Sequence, residues 1–262
     1  MDLERVNQVA TKAAYHGAEI LRSYFGNISH VNKKGAIDLV TEADIGSEKK
    51  IVETIQAAFP DHTILAEESG LSQGDNDYKW LIDPLDGTTN FAHQVPIFSI
   101  SIAFAIADEI CTGIVLNPIN GELFSATRKK GALRNGKPIT VSSTSIVSES
   151  LLVTGFPYNL HEIFDPIMTR YARCLRAAQG VRRLGSAALD LCWVACGRFD
   201  GFWEQCLKPW DTAAGSIIAA EAGAQVTDFS NRHFSVDAKE ILATNGSLHE
   251  EMLGLLRLKE NE

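Results

Sequence analysis

The stretch from Trp80 to His93, Trp-Leu-Ile-Asp-Pro-Leu-Asp-Gly-Thr-Thr-Asn-Phe-Ala-His, joins an apolar run to two carboxylates and a Gly-Thr-Thr turn. Pro84 fixes its own φ and has no N–H group, so a strand that arrives from the apolar run is expected to end there. Asp83 and Asp86 can then turn toward one point, with the Leu85 carbonyl between them. The sequence therefore predicts several oxygen ligands at the end of a buried strand.

The residues after Asp86 form a turn that suits an anion. Gly87 lets the backbone approach another group closely, and the amides of Gly87, Thr88 and Thr89 can face an anion as those of a helix N-terminus do. An Asp-Gly pair alone usually marks only a turn. Here the turn follows two carboxylates within a few residues, and hard oxygen ligands beside an anion site suit a divalent cation that bridges to phosphate.

Two other segments place acidic residues beside apolar runs. One contains Glu67 and Glu68, and the other contains Asp211. Taken alone, the glutamate pair is typical of a solvated loop and Asp211 of a helix N-cap. Two carboxylates about 5 Å apart repel by roughly 3 kcal/mol at an effective dielectric constant of ~20. If these side chains converge with Asp83 and Asp86, a metal ion must accompany them.

The residue types favour Mg²⁺ or Mn²⁺ over zinc at such a site. The 7 histidines include no His-x-x-His or His-x-x-x-His pair, and the 5 cysteines include no Cys-x-x-Cys pair. Zinc prefers those nitrogen and sulfur ligands, whereas carboxylate and carbonyl oxygens suit magnesium and manganese. The odd number of cysteines without paired spacing predicts reduced thiols.

Hydrophobic spacing outside the acidic segments predicts an α/β chain, or α+β in some schemes, with mixed or antiparallel sheets and helices in layers. A long amphipathic helix opens the chain, and later helices are predicted near residues 44–59 and 211–222. Residues 97–141 are a predicted antiparallel meander with Asn-Gly turns.

We expect one folded unit over residues 1–262. The Ser/Thr-rich stretch 142–150 is the expected boundary between two sub-halves, 1–145 with the acidic motifs and the meander, and 146–262 with substrate contacts.

Composition limits the classes of function. Hydrophobic residues make up 45% of the chain and charged residues 22%, which predicts a globular protein. The formal net charge of −9 argues against direct binding to nucleic acid. The N-terminal segment lacks the apolar core of a signal peptide, and the longest apolar stretch, 97–107, is too short to span a membrane. We therefore expect a cytoplasmic protein.

Four motifs resemble those of the inositol monophosphatase family of Mg²⁺-dependent, lithium-sensitive phosphatases. They follow the family's order along the chain, at residues 34–44, 66–69, 80–93 and 210–224. The resemblance therefore covers nearly the whole sequence. It implies a layered αβαβα sandwich, a homodimer, and two or three Mg²⁺ ions per site, with Mn²⁺ as an alternative.

The resemblance also implies which residues bind the metal. The expected ligands are four carboxylates and one backbone carbonyl: Glu67, Asp83, Leu85, Asp86 and Asp211. Asp86 would bridge two ions, and Asp211 would complete the second site.

Further residues are implied to act beside these ligands. Thr88, paired with Asp44, resembles the residue that orients the attacking water, so the expected catalytic residues are Asp44, Glu67 and Thr88. Glu68, like Asp44, is expected to support the ligands or a third metal. The same supporting role falls to a lysine of the Lys33-Lys34 pair, and we assign it to Lys34.

The resemblance implies a substrate site next to the metal site. The amides of residues 87–89 would hold the phosphate. Glu204 matches the position that binds substrate hydroxyls in the family. Residues 185–187 lie where family members contact the sugar or inositol ring of the substrate. Arg183, which precedes that segment, could pair with substrate or with a dimer partner. The full expected substrate-binding set is Glu67, Leu85, Asp86, Gly87, Thr88, Thr89, Arg183, Gly185, Ser186, Ala187, Glu204 and Asp211.

The expected activity is hydrolysis of a sugar or polyol phosphate monoester, with inositol-1-phosphate as the first candidate. Lys208 stands where animal members carry His, so the selectivity for the ring need not match theirs. Alternative substrates on the same fold are those of fructose-1,6-bisphosphatase, histidinol-phosphatase and 3′-phosphoadenosine-5′-phosphate phosphatase. A different alternative is a protein-interaction role in transcription or ribosome assembly, with catalysis secondary, as in some bacterial relatives.

Overall fold

The computed structural model describes residues 1–27, 31–33 and 39–258, so the predicted site residue Lys34 lies outside the described residues. The α-helices within these residues are α1 (Leu3–Tyr24), α2 (Glu42–Ala58), α3 (Thr88–Ala92), α4 (Phe164–Ala177), α5 (Ala187–Ala195), α6 (Pro209–Glu221) and α7 (His249–Leu256). The strands are β1 (Val31–Lys33), β2 (Leu39–Thr41), β3 (His62–Ala66), β4 (Gly70–Ser72), β5 (Asp75–Asp86), β6 (Ser99–Ile106), β7 (Glu109–Leu116), β8 (Leu123–Thr127), β9 (Ala132–Arg134), β10 (Lys137–Pro138), β11 (Leu151–Thr154), β12 (Gly180–Arg183), β13 (Gly201–Gln205), β14 (Gln225–Thr227) and β15 (Glu240–Thr244).

The strands form two main sheets. The larger sheet has the order β10-β9-β8-β7-β6-β5-β3-β4, and its neighbours are antiparallel except for β3 and β5, which run parallel. The predicted meander is therefore confirmed as β6 to β10. The smaller sheet has the order β12-β11-β13-β15-β14 and is mixed. Strands β1 and β2 form a separate antiparallel pair.

The elements stack in five layers. Helices α1 and α2 pack on one face of the larger sheet, α5 and α6 fill the space between the two sheets, and α4 and α7 cover the outer face of the smaller sheet. This arrangement confirms the expected αβαβα sandwich. The division into two sub-halves stays a prediction.

The central layer is apolar on all sides because it has a sheet above and below it. Almost every residue of α5 is buried. Helix α6 presents small side chains to α5 and to the larger sheet. Gly215 of α6 lies against Leu191 of α5, where a Cβ atom would come within 2.7 Å of the leucine Cδ1 atom. The absence of a side chain at Gly215 therefore lets α5 and α6 approach each other closely within the central layer. Across the described residues, none of the helices has the length and apolarity that a bilayer span requires.

The path of β5 differs from the expectation that the strand ends at Pro84. The strand continues to Asp86 through a bulge: Asp83 pairs with Ser101 and Asp86 with Ser99, so two residues of β5 oppose one residue of β6. Proline is tolerated at a bulge because the ladder there does not require its missing N–H group. The bulge re-aims the two aspartates while the strand goes on.

Two helices begin earlier than the sequence patterns predict. Helix α2 begins at Glu42 rather than near residue 44. Helix α6 begins at Pro209, whose fixed φ suits the first helical position. The alternative interpretation of Asp211 as the N-cap is therefore wrong. Lys208 is the N-cap residue, and the Asp211 side chain, in the third helical position, accepts a 2.8 Å hydrogen bond from the Lys208 N–H group.

The contact between α6 and the larger sheet gives a first prediction. A Cβ atom at Gly113 of β7 would lie 2.6 Å from the Ala214 carbonyl oxygen and 2.6 Å from Ile217 Cγ2. Because the backbone of α6 cannot give way locally, Gly113→Ala is expected to lower the free energy of unfolding by about 2 kcal/mol or more in urea denaturation. The control is Gly254→Ala in α7, where a Cβ atom meets nothing within 4 Å. It should raise stability by about 0.5–1 kcal/mol, and equal effects of the two variants would contradict this packing.

Candidate active site

One cavity gathers most of the predicted site residues. It has a volume of about 540 Å³ and lies where the ends of β3 and β5 meet the N-termini of α5 and α6. Its lining includes the predicted residues Glu67, Asp83, Leu85, Asp86, Gly87, Thr88, Thr89, Arg183, Gly185, Ser186, Ala187, Glu204 and Asp211. Asp44 and Glu68 do not line the cavity. Asp44 lies behind it on α2, and Glu68 follows Glu67 in the chain.

Asp83 is the most enclosed carboxylate of the cavity. Its side chain is 3% exposed and accepts a 2.9 Å hydrogen bond from the Leu85 N–H group. Burial raises the pKa of Asp83 well above its ordinary value, and the negative charges of Glu67, Asp86 and Asp211 raise it further. These carboxylates are therefore close enough to repel one another through a medium of low polarity.

Asp86 is held by the N-terminus of α5. Its carboxylate accepts hydrogen bonds from the Ser186 hydroxyl at 2.7 Å, the Ala188 N–H group at 2.8 Å and the Ala187 N–H group at 3.3 Å. Burial raises the pKa of Asp86 to about 6, and these donors oppose the rise. The positive end of the helix dipole also favours the anion. Ser186 and Ala187, which were expected to contact substrate, thus also fix the direction of Asp86.

Asp211 faces the cavity from the first turn of α6. Burial raises its pKa, the Lys208 N–H bond lowers it, and the charges of Asp86 and Glu67 raise it again. The hydrogen bond to Lys208 leaves one carboxylate oxygen without a described protein donor. The carboxylates of β5 and α6 therefore reach the cavity from two different layers of the fold.

The turn after β5 is shaped by a glycine. Gly87 has φ 102°, and a Cβ atom there would lie 3.0 Å from the Gly185 carbonyl oxygen. Thr88 then begins α3, and its buried hydroxyl lies 3.1 Å from both Asp44 Oδ1 and the Leu85 carbonyl oxygen. A single hydroxyl proton satisfies one of these acceptors at a time, so its oxygen keeps lone pairs for a further donor.

Glu204 and Arg183 form the side of the cavity away from β5. Glu204 is 7% exposed. Its pKa is raised to about 8, mainly by burial and also by the negative charge of Asp211, while the positive charge of Arg183 lowers it. The Arg183 guanidinium lies 5.8 Å from the centre of the Phe156 ring. This side therefore combines one buried acid with one base stacked on an aromatic ring.

The cavity wall also contains residues that the sequence patterns did not single out. Gly155 leads into a loop that adds Phe156, Pro157 and Tyr158 to the lining. The Gly155 Cα atom lies against the Glu204 carboxylate, so close that a Cβ atom would overlap it. The Gly-Phe-Pro-Tyr segment directly after β11 was the available signal, because glycine and proline at a strand end mark a loop.

Asn90 is a second missed residue, and it joins the two halves of the site. Its side-chain amide donates to the carbonyl oxygens of Ile97 and Leu184, at 2.7 Å in each case. Leu184 directly precedes the segment that leads into α5. Asn90 therefore locks the turn after β5 to the N-terminus of α5.

The predicted metal ligands on this cavity, four carboxylates and the Leu85 carbonyl, are hard oxygen donors. Among the described residues, no three acidic, histidine or cysteine side chains are grouped tightly around one metal position. The carboxylates nevertheless share one cavity, and the pKa values of Asp83 and Asp211 are raised first by burial and then by the negative charges of their neighbours. This chemistry fits Mg²⁺ or Mn²⁺.

Comparisons with known proteins agree with the fold. The profile of the inositol monophosphatase family matches residues 2–260. The chain is 48% identical over 254 residues to the inositol-1-monophosphatase of Synechocystis sp., covering 96% of this chain and 88% of the relative. It is 39% identical over 252 residues to the Nus factor SuhB of Pseudomonas aeruginosa, covering 94% and 93%. The solved inositol monophosphatase of Anabaena (Nostoc) sp. PCC 7120 has a TM-score of 0.89 at 44% identity, covering 98% and 96%.

These matches place the chain in a class of phosphoric monoester hydrolases. The protein belongs to the inositol monophosphatase family.

The repulsion among the carboxylates gives a second prediction. The pKa of Asp83 is raised in the folded protein, so the unfolded chain releases this proton at lower pH, and stability is lost as pH rises above about 4. In EDTA at pH 8, Asp83→Asn should therefore raise the free energy of unfolding by about 1 kcal/mol or more, which is a melting shift of about 2–4 °C per kcal/mol. The asparagine oxygen can still accept from Leu85.

The advantage of Asp83→Asn should shrink as the pH falls toward 4. Thermal denaturation at several pH values measures it, and Glu19→Gln, which removes an exposed charge on α1, serves as the control. A metal-free Asp83→Asn protein that melts below the wild type at pH 8 would point to a structural role for this carboxylate.

Proposed function

We propose that the protein hydrolyses a sugar or polyol phosphate monoester in the presence of Mg²⁺, with inositol-1-phosphate as the first candidate substrate. The observation that carries this proposal is a set of carboxylates on one cavity: Asp83, which is buried, and Glu67, Asp86 and Asp211, which are partly buried. The 48% identity to an inositol-1-monophosphatase supports the choice of substrate.

The metal ligands of this proposal are the side chains of Glu67, Asp83, Asp86 and Asp211 and the carbonyl of Leu85. Two or three Mg²⁺ ions, or Mn²⁺ in their place, would supply a bound water of lowered pKa and neutralise charge on the phosphate and the leaving oxygen. Glu68, Asp44 and Lys34 are proposed to support these ligands.

The chain's own catalytic groups act on the water. In our proposal, the Thr88 hydroxyl donates its hydrogen bond to Asp44 Oδ1, so the Thr88 oxygen can accept a hydrogen bond from the water and fix its direction. Glu67, which directly follows β3, lines the same cavity as Thr88. The geometry needed for this arrangement is supported by the 3.1 Å contact between Thr88 Oγ1 and Asp44 Oδ1. Orientation of a bound nucleophile is a large part of catalysis in phosphoryl transfer.

Different sides of the cavity would bind the phosphate and the leaving group of the substrate. The amides of residues 87–89 are proposed to hold the phosphate. Glu204 would bind hydroxyl groups of the leaving group, and Gly185 to Ala187 would contact its ring. Arg183 is proposed to contact substrate oxygen atoms from its position over the Phe156 ring.

The size of the cavity keeps other phosphate esters in consideration. The cavity volume is about 540 Å³, and its lining includes two cationic side chains, Arg183 and Lys208. A cavity of this size and charge could admit a second phosphate group. A phosphate-release assay with Mg²⁺ should therefore compare inositol-1-phosphate, fructose-1,6-bisphosphate, histidinol phosphate and 3′-phosphoadenosine-5′-phosphate. The largest kcat/KM identifies the preferred class, and no release from any of them would overturn the proposal.

A second candidate function is a role as a protein partner, with catalysis secondary. The identity of 39% to a protein named Nus factor SuhB supports it. We further propose a cytoplasmic homodimer. The net charge of −9 keeps direct nucleic-acid binding disfavoured. A cellular phenotype that persists in a catalytically dead variant would favour the partner role over the phosphatase.

The third prediction concerns Asp211, since its substitution leaves the local hydrogen bonds in place. Asparagine keeps the oxygen that accepts from the Lys208 N–H group, so Asp211→Asn should fold normally. Loss of one metal-binding charge is expected to lower kcat by about 100-fold or more, as for other groups that stabilise transition-state charge. Steady-state phosphate release at saturating Mg²⁺ measures the effect.

The control for this measurement is Asp237→Asn, which removes the same charge from an exposed position. It should leave kcat within about twofold, since its charge is screened by solvent. Wild-type turnover in Asp211→Asn would exclude the proposed role of this carboxylate.

The fourth prediction tests Glu204 through its neighbour Gly155. A Cβ atom at position 155 would occupy the space of the Glu204 carboxylate, so Gly155→Ala should displace that side chain. We expect KM for inositol-1-phosphate to rise by about tenfold, equivalent to one lost hydrogen bond of about 1.4 kcal/mol. Binding of Mn²⁺ should stay at the wild-type value. An unchanged KM would mean that Glu204 does not contact the substrate, and Gly254→Ala provides the alanine control.

A further inference from the structure

Helix α2 buries three polar side chains on one face. Asp44 and Ser47 have no exposed surface, and Glu48 is 4% exposed. Their spacing of three and four residues places them next to one another along the helix. Buried polar groups are costly unless they are hydrogen-bonded, so the partners of this face explain why it is polar.

Each of the three side chains contacts a different part of the cavity wall. Asp44 accepts from Thr88 in the turn after β5, and the Ser47 hydroxyl donates to the Pro84 carbonyl oxygen at 3.0 Å within the bulge of β5. Glu48 contacts the loop after β3. The polar face of α2 is therefore fixed to both segments that carry carboxylates from the larger sheet.

Glu48 makes the most complete of these contacts. Its two carboxylate oxygens accept hydrogen bonds from consecutive backbone amides, Glu68 N–H at 2.8 Å and Ser69 N–H at 2.9 Å. Hydrogen bonds to an ionised carboxylate are roughly twice as strong as neutral ones. Both oxygens are used, so a neutral amide in place of the carboxylate could accept only one of the two bonds.

These bonds fix the backbone on both sides of Glu67. Its own N–H group donates to the Ile82 carbonyl oxygen of β5 at 3.1 Å, and the next two N–H groups donate to Glu48. The charge of Glu67 acts on Asp83, so repulsion drives the loop away from the cavity. The anchor on α2 opposes that movement.

We propose that Glu48 is a positioning residue that holds the loop of Glu67 at the cavity and so pre-organises the metal site. This inference rests on the proposed metal-dependent function. Glu48 does not line the cavity, and it acts only through the backbone of residues 68 and 69. Partners that orient metal ligands typically contribute 10–100-fold to metal affinity.

The test measures Mn²⁺ binding to the full-length, metal-free protein by titration calorimetry. Glu48→Gln is expected to weaken Mn²⁺ binding by roughly 10-fold. The kcat of the variant at saturating metal should return toward the wild-type value. The matched control is Glu53→Gln on the same helix, where the side chain is half exposed and pairs with Lys50. It should bind Mn²⁺ as the wild type does.

Each outcome has a separate meaning. A Glu48→Gln protein that melts lower in EDTA but binds Mn²⁺ with wild-type affinity would overturn the positioning role while leaving the proposed function intact. A wild type that binds no Mn²⁺ would remove the proposed function itself. If Glu48→Gln does not fold, Glu48→Asp keeps the charge on a shorter arm, and the same weakened binding is expected of it.

Discussion

The mutual repulsion of buried carboxylates is the constraint on which the rest of this structure depends. Three carboxylates of the cavity accept their described hydrogen bonds from neutral donors: Asp83 from the Leu85 N–H group, Asp86 from the Ser186 hydroxyl and the first N–H groups of α5, and Asp211 from the Lys208 N–H group. These donors fix the direction of the oxygens and reduce the cost of burial, but they do not neutralise the charge. The pKa values of Asp83, Asp86 and Asp211 therefore stay raised despite these hydrogen bonds.

The layered architecture lets side chains from distant parts of the sequence share one cavity. Asp83 and Asp86 come from the larger sheet, and Asp211 comes from the central helical layer. The larger sheet and the central layer approach closely where Gly113 of β7 lies against α6, and Gly215 lets α5 and α6 pack closely within the central layer. Asn90 adds a direct link between the turn after β5 and the entrance of α5. Close packing and hydrogen bonding between layers therefore serve the site as well as stability.

Much of this could be predicted from the sequence, because the acidic residues of the cavity lie beside strong local signals. The apolar run before Asp83 predicted strand β5, and the Gly-Thr-Thr sequence after Asp86 predicted the turn that follows it. The continuation of β5 past Pro84 could not be predicted, since a bulge depends on the partner strand β6. Gly155 was missed because its role comes from Glu204, a tertiary neighbour. Glu48 was missed because an acidic residue on an amphipathic helix is normally solvated.

The same constraint links folding to ligand binding. Folding brings the carboxylates together against their repulsion, so the metal-free native state keeps an unfavourable electrostatic free energy that the unfolded chain does not have. Any cation that binds only the native cavity relieves this free energy and stabilises the fold by mass action. A site held rigidly by α2, α5 and the backbone cannot relax by spreading its charges apart. Rigidity therefore lowers the stability of the protein without a cation, and relief of the repulsion would add to the affinity for any cation that binds the cavity.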